Sequence, residues 1–531
     1  MQKWLDKYHT LLRTVLFAVF LLNGIFYIPR QSITADEGDH YNYAVRFVKG
    51  HPEKTRPFDD ASAMPLSAIN TVPRITQQLL HPDLHRNDYG TGDIINGRYV
   101  TLLISLFIGF YVYRWSKDLY GKRAALLSLF LFVFCPNISA HASLVTTDAY
   151  SALFTIAPLY HYWRYCKERS LKQFIFFSVT LAIAQLSKQS LTFLYPVFIL
   201  LFFFRLFYIS QKLITLKKVI LNFLLILAIQ LLILNIGFQF NHTGMPLNHY
   251  NFRSSFFNSI QKNSFFLKSI PIPIPAPYVY GLDLTKNIDE IGPGHPESSP
   301  KIFLLGESRA GKGFWNYYFI SLLFKTPISL LIAFFLSLFL ICRKKARRWC
   351  DDELFLLFPI FFFLVYFDFF YDSQVGLRHI LLIFPLVHVF CGIIVKELVY
   401  SRRNLFLISL LTCYSLFSFY YFFPHLLPYT NELITDKKTA YKILGAANLD
   451  YNQATKDLVG YLNKNPEAHY APEKPGAGKF IISINDLLGL DQKKDYTWLR
   501  NNFKPVDHLV FTYLIFDISD DELINKKLSA K

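Results

Sequence analysis

Apolar residues along this chain run in blocks instead of alternating with polar ones. Eleven blocks read as helices, at 14–29, 98–114, 123–138, 148–163, 173–187, 190–209, 219–240, 314–341, 353–369, 379–399 and 404–423. A helix needs about 20 residues to cross the hydrocarbon core of a bilayer, and several blocks lie near the short end of that range. The pattern predicts an all-α polytopic membrane protein with about eleven transmembrane helices over 1–423. Polar outer loops are predicted at 30–97 and 241–313, and a small extracytoplasmic α/β domain at 424–531. In that last region a helix is expected near Asn448–Leu462, with strands at Phe480–Ile484 and Leu509–Ile518. The first block follows Lys3, Lys7 and Arg13 and has no small-x-small cleavage site, so it reads as a retained signal anchor.

One polar stretch has its own signature. Ser269–Tyr280 carries proline at 271, 273, 275 and 277, a spacing that predicts extended or polyproline II chain and excludes helix. It reads as a covering loop.

Composition supports the membrane reading, with 52% hydrophobic residues, 54 Phe and 33 Tyr. The formal charge of +17 raises the question of nucleic acid, and the placement of the charge answers it. The positive residues cluster between blocks: Arg114 to Arg123, Arg164 to Lys172, Lys212 to Lys218, Arg343 to Arg348, and Lys396 to Arg403. They recur at every second connection, whereas 137–147 contains no Lys or Arg. That is the positive-inside pattern of a multi-pass protein of the plasma (inner) membrane. It predicts a cytoplasmic N-terminus and, with an odd number of crossings, an extracytoplasmic C-terminus. The six cysteines (135, 166, 342, 350, 391, 413) have neither disulfide nor metal-ligand spacing.

With that topology, several ionisable residues share the outer face. Asp36 and Glu37 closely follow the first helix, where partial desolvation suits a carboxylate to general-base work on a hydroxyl. Asp148 opens the fourth helix after His141; it would either cap that helix or act beside Asp36. Arg378 and His379 open the tenth helix, Arg98 opens the second, and Lys188 sits between the fifth and sixth. Such cations either snorkel toward headgroups or clamp a phosphate. A further stretch, Gly306–Gly313, nearly matches a phosphate loop but ends in Gly where Ser or Thr would ligate magnesium, which argues against nucleotide binding.

Together these segments resemble the membrane glycosyltransferases of the protein O-mannosyltransferase and aminoarabinose transferase (GT-C) type, in particular a bacterial branch. The Asp36-Glu37 pair, His141–Asp148, Ser187-Lys188, Arg98 and Gly376–His379 carry that resemblance. So do Met64–Asn70, Gly313–Pro327, Asn448–Asp450 with Asp457, Phe480–Leu488 and Tyr496–Arg500. Ala63-Met64-Pro65 departs from the His-Pro-Pro type run of many relatives. The resemblance implies an inverting glycosyltransferase that moves a sugar from a polyprenyl-phosphate donor to an acceptor hydroxyl on a protein, lipid or envelope glycan. It implies catalytic roles for Asp36, Glu37 and Asp148, and donor-phosphate binding by Arg378, Arg98, Lys188 and His379. No cofactor is required by this reading, although the paired carboxylates would tolerate a divalent cation. The rival is a polytopic transporter or flippase of lipid-linked sugar. It would place its ionisable residues near the bilayer midplane, often with repeat symmetry, and neither is evident here.

Overall fold

Each of the eleven apolar blocks folds as helix over most of its length. The computed structural model describes residues 6–81, 89–208, 215–264, 268–343, 351–398, 401–490 and 494–526. Lys3, Lys212, Cys350 and the cations at 344, 345, 347 and 348 lie outside the described residues. The chain is a polytopic, mostly helical membrane protein with a small C-terminal α/β extension.

The count of about eleven membrane helices is corrected. Among the described residues six helices are long and apolar enough to cross a bilayer, or seven if one bent pair is a single span. Three of the others are short: Lys122–Val133, Leu171–Gln185 and Leu354–Phe369, with 12, 15 and 16 residues. Asp148–Glu168 has 21 residues but carries Asp, His, Arg, Lys and Glu, and its sides are buried against neighbouring helices. A helix can also be apolar because neighbouring helices bury it, so hydrophobic blocks alone overstate the number of lipid-facing spans.

The predicted helix 314–341 is broken in two. Tyr317–Lys325 and Ile328–Cys342 meet at 115° across Thr326-Pro327. The proline ring forces the preceding residue out of helical conformation, and Thr326 is extended (φ −92°, ψ 133°). The freed groups find partners, since Asn137 donates to the Lys325 carbonyl at 2.6 Å and Lys325 Nζ donates to the Leu427 and Asn448 carbonyls.

The proline-rich stretch also differs from expectation. Ala276–Ile291 is a helix, with Pro275 immediately before it and Pro277 in its first turn. Proline is tolerated there because the first amides of a helix have no intrahelical acceptor. Gly306–Gly313 runs through a hairpin of β1 (Ile302–Leu304) and β2 (Glu307–Arg309), and no helix begins before Tyr317.

Charge separates the two ends of the bundle. At one end Arg123 pairs with Asp6 at 2.5 Å, Arg164 with Asp118 at 3.1 Å and Lys167 with Asp352 at 2.8 Å, and Lys396 donates to the Leu119 carbonyl. At the other end lie Asp36, Asp148, Lys188, Arg378 and the C-terminal extension.

In that extension β3 (Ala468–Tyr470), β4 (Gly478–Ser483), β5 (Asp507–Leu509) and β6 (Tyr513–Ile518) form one sheet in the order β3-β4-β6-β5. β3 and β4 are parallel; the other pairs are antiparallel. The expected helix at Asn448–Leu462 is observed at Thr455–Lys464, and Asn448–Asp450 instead forms an irregular segment over the bundle. Leu449, Phe480 and Leu514 belong to the same buried cluster as Trp115 and Phe390, so the extension shares a continuous core with the helices.

Candidate active site

One end of the bundle encloses a cavity of about 360 Å³ whose walls come from six separate parts of the chain. Asp36, Asp39 and His40 enter from the polar stretch after the first helix, and Asp148 and Lys188 from helix ends. Arg378 and His379 enter at the start of Leu377–Leu398, and Tyr451 and Asn485 come from the C-terminal extension. Thr285 and Ile288 of the Ala276–Ile291 helix close one side.

Arg378 connects the two acidic positions. Its Nη1 donates to Asp36 Oδ2 and to the Tyr451 hydroxyl, each at 2.6 Å, and lies 4.0 Å from Asp148 Oδ2. The guanidinium also stacks 4.7 Å above the Tyr451 ring. Among the described residues its buried Nε has no partner, and neither has Nε2 of His379. One side of the fork is therefore engaged while part of its donor capacity is unused.

Local sequence places Arg378. Gly376 has φ +133°, where a side chain is strained, and an added Cβ would lie 3.3 Å from Ala447. The chain thereby passes close under the C-terminal extension, and the Leu377 amide donates to Asn448 Oδ1 at 2.9 Å. The same extension fixes the Asp36 loop, where the Ser32 amide donates to the Gln453 carbonyl and the Ala35 amide to the Tyr451 carbonyl.

Asp148 faces Lys188, whose Nζ donates to Oδ1 at 2.6 Å. Its other oxygen accepts from Thr146 Oγ1 at 3.1 Å. No side-chain cap closes this helix end, so Asp148 is directed into the cavity and not onto the helix backbone.

Glu37 and Arg98 behave differently from their neighbours. Both are fully buried, they pair with each other, and neither lines the cavity. Arg98 Nε and Nη2 reach the two Glu37 oxygens at 2.8 and 2.6 Å, and its remaining N–H groups donate to the Ile28, Gln31 and Ser32 carbonyls. Glu37 also accepts from Thr34 and from the Val145 amide. The pair ties together three elements behind the cavity wall.

Three groups of the first loop titrate away from their ordinary values or are held there. Burial raises the Asp36 carboxyl, but the Arg378 guanidinium, with His40 and the Tyr451 hydroxyl, outweighs that and leaves it below the usual value. Burial, then the nearby Asp59 charge, raises Asp39 to about 6. Burial lowers His40 to about 4, so this imidazole is neutral at physiological pH. Asp36 keeps 34% of its side chain exposed and is accessible from the cavity.

Asp36, Asp148, Lys188, Arg378 and His379 were expected on one face, and the fold brings them to one cavity. Asp39, His40, Tyr451 and Asn485 were not anticipated. Asp39 and His40 follow Asp36 by three and four positions, a helical spacing that puts them on its side of the helix Glu37–Val48. Tyr451 and Asn485 carry no comparable local signal. Among the described residues no three His, Cys, Asp or Glu side chains gather as a metal-ligand set.

Residues 91–235 match the family model described as dolichyl-phosphate-mannose-protein mannosyltransferase. That segment includes Arg98, Asp148 and Lys188 but neither Asp36 nor Arg378. No curated protein matches the chain significantly. Among solved structures, the chain is similar to ArnT from Cupriavidus metallidurans bound to undecaprenyl phosphate, with 12% identity and a TM-score of 0.47. That alignment covers 97% of this chain and 99% of that one. The apo state of the same protein gives 12% identity and a TM-score of 0.48, covering 96% and 97%. An apo oligosaccharyltransferase from Archaeoglobus fulgidus gives 12% and 0.47, covering 78% of this chain and 56% of that one.

Proposed function

We propose that the chain is an inverting membrane glycosyltransferase that takes its sugar from a polyprenyl-phosphate donor, of the type transferring mannose or aminoarabinose and within a bacterial branch of it. The acceptor is a hydroxyl on a protein, lipid or envelope glycan. The match over 91–235 to a family named for a dolichyl-phosphate sugar supports the donor class. One structural observation carries the rest: Arg378, with unused buried donor capacity, stands beside the accessible carboxylate of Asp36 in a cavity at the helix ends.

In this reading the acceptor oxygen attacks the anomeric carbon as Asp36 takes its proton. The bond from that carbon to the phosphate oxygen breaks, and its electron pair leaves with the polyprenyl phosphate. Positive charge aimed at the leaving oxygens stabilises them in the transition state. Arg378 supplies a directional donor there and Lys188 a point charge, with His379 offering Nε2. Asp148 holds Lys188 and sits within reach of Arg378, so it positions both cations. Glu37 and Arg98 support the wall behind Asp36. Because Arg378 and Lys188 bring the positive charge, the reaction runs without a divalent cation.

The orientation proposed is N-terminus cytoplasmic and C-terminus extracytoplasmic. The clustering of Arg123, Arg164, Lys167 and Lys396 at the end opposite the cavity supports it.

The test is sugar transfer by the purified chain from radiolabelled polyprenyl-phosphate sugars to an extract of envelope acceptors, with and without EDTA. Label should reach acceptor with inverted anomeric configuration and at equal rate in EDTA. Retained configuration would overturn the single displacement, and loss of transfer in EDTA would overturn the metal-free clamp.

A further inference from the structure

A second cavity, of about 440 Å³, lies between the helices Leu194–Tyr208 and Leu216–Gly237. These two consecutive helices pack apart: Leu216–Gly237 against Leu171–Gln185, and Leu194–Tyr208 against Leu354–Phe369. The cleft left between them is walled by aromatic and aliphatic side chains, including Phe174, Phe198, Phe202 and Ile226. Its rim on the lipid side is exposed at Ile199, Phe203 and Phe223.

Three cations, Arg169, Arg205 and Lys218, line the same cleft, and among the described residues no carboxylate does. All three stand toward the bundle end that carries the Arg164 and Lys167 ion pairs, opposite the catalytic cavity. Arg205 is the informative one. A lipid-facing arginine ordinarily snorkels, extending its head to water. Here the guanidinium lies 5.7 Å over the Phe355 ring, and its Nη1 is buried with no hydrogen-bond partner among the described residues. A buried charged donor left unpaired is costly, so an anion belongs beside it.

We propose that this cleft binds one anionic phospholipid from the leaflet on that side, with its phosphate on Arg205 and Lys218 near Arg169 and one acyl chain in the aromatic slot. The slot runs between two helices toward lipid, which is a route for a chain and not for a soluble anion. The charge is all positive, which selects an anionic headgroup over a zwitterionic one. The site rests on the chain being embedded in a membrane and does not depend on the transferase reading.

Lipid binding to the purified full chain by native mass spectrometry, titrated with phosphatidylglycerol or phosphatidylcholine, tests it. Wild type should bind one phosphatidylglycerol in preference to phosphatidylcholine. Arg205→Ala should weaken phosphatidylglycerol about tenfold, the worth of one charge-assisted contact. Ile226→Trp leaves every cation in place and fills the slot, so it should abolish that binding while the thermal transition stays cooperative. Equal affinity of wild type and Ile226→Trp would overturn the site. Displacement of the lipid by inorganic phosphate alone would also overturn it, because the chain would then contribute nothing.

Discussion

Glu37 and Arg98 form a buried two-pronged ion pair in which both side chains have their hydrogen-bonding capacity taken up inside the protein. Asp36, one position earlier, faces the cavity and Arg378. Two adjacent carboxylates are thereby divided into one that builds the wall and one available for chemistry. Breaking one side of a buried pair leaves an uncompensated charge, at a cost of about 3–5 kcal/mol. Glu37→Ala should lower the thermal transition of the detergent-purified protein sharply, and an unchanged transition would remove the structural role.

Arg378→Ala should depress transfer strongly at unchanged membrane abundance. Arg378→Lys should recover part of it, because an ammonium cannot reproduce a planar fork. Tyr451→Phe keeps the stacked ring and removes one hydrogen bond to Arg378, so its loss should be smaller than either. Transfer rates at matched protein level check the order, and equal rates in Arg378→Ala and wild type would return this arginine to a packing role.

How far the site was legible depends on the kind of signal each residue left. Asp36, Asp148, Lys188 and Arg378 stand at helix ends, and alternation of helices with basic loops was enough to assign them one face. Their convergence, Arg378 to Asp36 at 2.6 Å and Lys188 to Asp148 at 2.6 Å, agrees with that inference. Partner choice was not legible: Arg98 looked like a phosphate ligand because nothing local shows that Glu37, 61 residues away, would claim it. Tyr451 was equally hidden, since it reaches Arg378 from an irregular segment of the C-terminal extension, 73 residues further along. The helix count failed for a different reason. Apolar blocks record burial of any kind, and enclosure by neighbouring helices leaves the same mark as lipid.

Topology has a direct check. Reporters inserted at Gly294 and fused after Lys531 should read extracytoplasmic, and one inserted at Gly121, beside the Arg123–Asp6 pair, should read cytoplasmic. A cytoplasmic reading at both Gly294 and the C-terminus would invert the orientation.

Asp39 supplies a pH dependence. Its folded value of about 6 lies above the ordinary 3.8, so between those values the folded state holds a proton that the unfolded chain has released. Stability therefore falls as pH rises through that window and the deficit is constant above it. Asp39→Asn removes the effect. The variant's advantage in melting temperature should grow from about pH 4 to about pH 6 and then level off. A difference independent of pH would contradict the shifted carboxyl.

The central claim is that Asp36 takes the acceptor proton while cations elsewhere hold the donor. Asp36→Asn keeps size and hydrogen bonding but cannot accept that proton, and general-base assistance contributes about 10²–10⁴-fold in rate. The measurement is transfer of radiolabelled sugar from a polyprenyl-phosphate donor, beside equilibrium binding of the same donor, in purified wild type and Asp36→Asn. Transfer reduced by that factor with donor binding retained is the predicted result. Wild-type transfer rates in Asp36→Asn would contradict it.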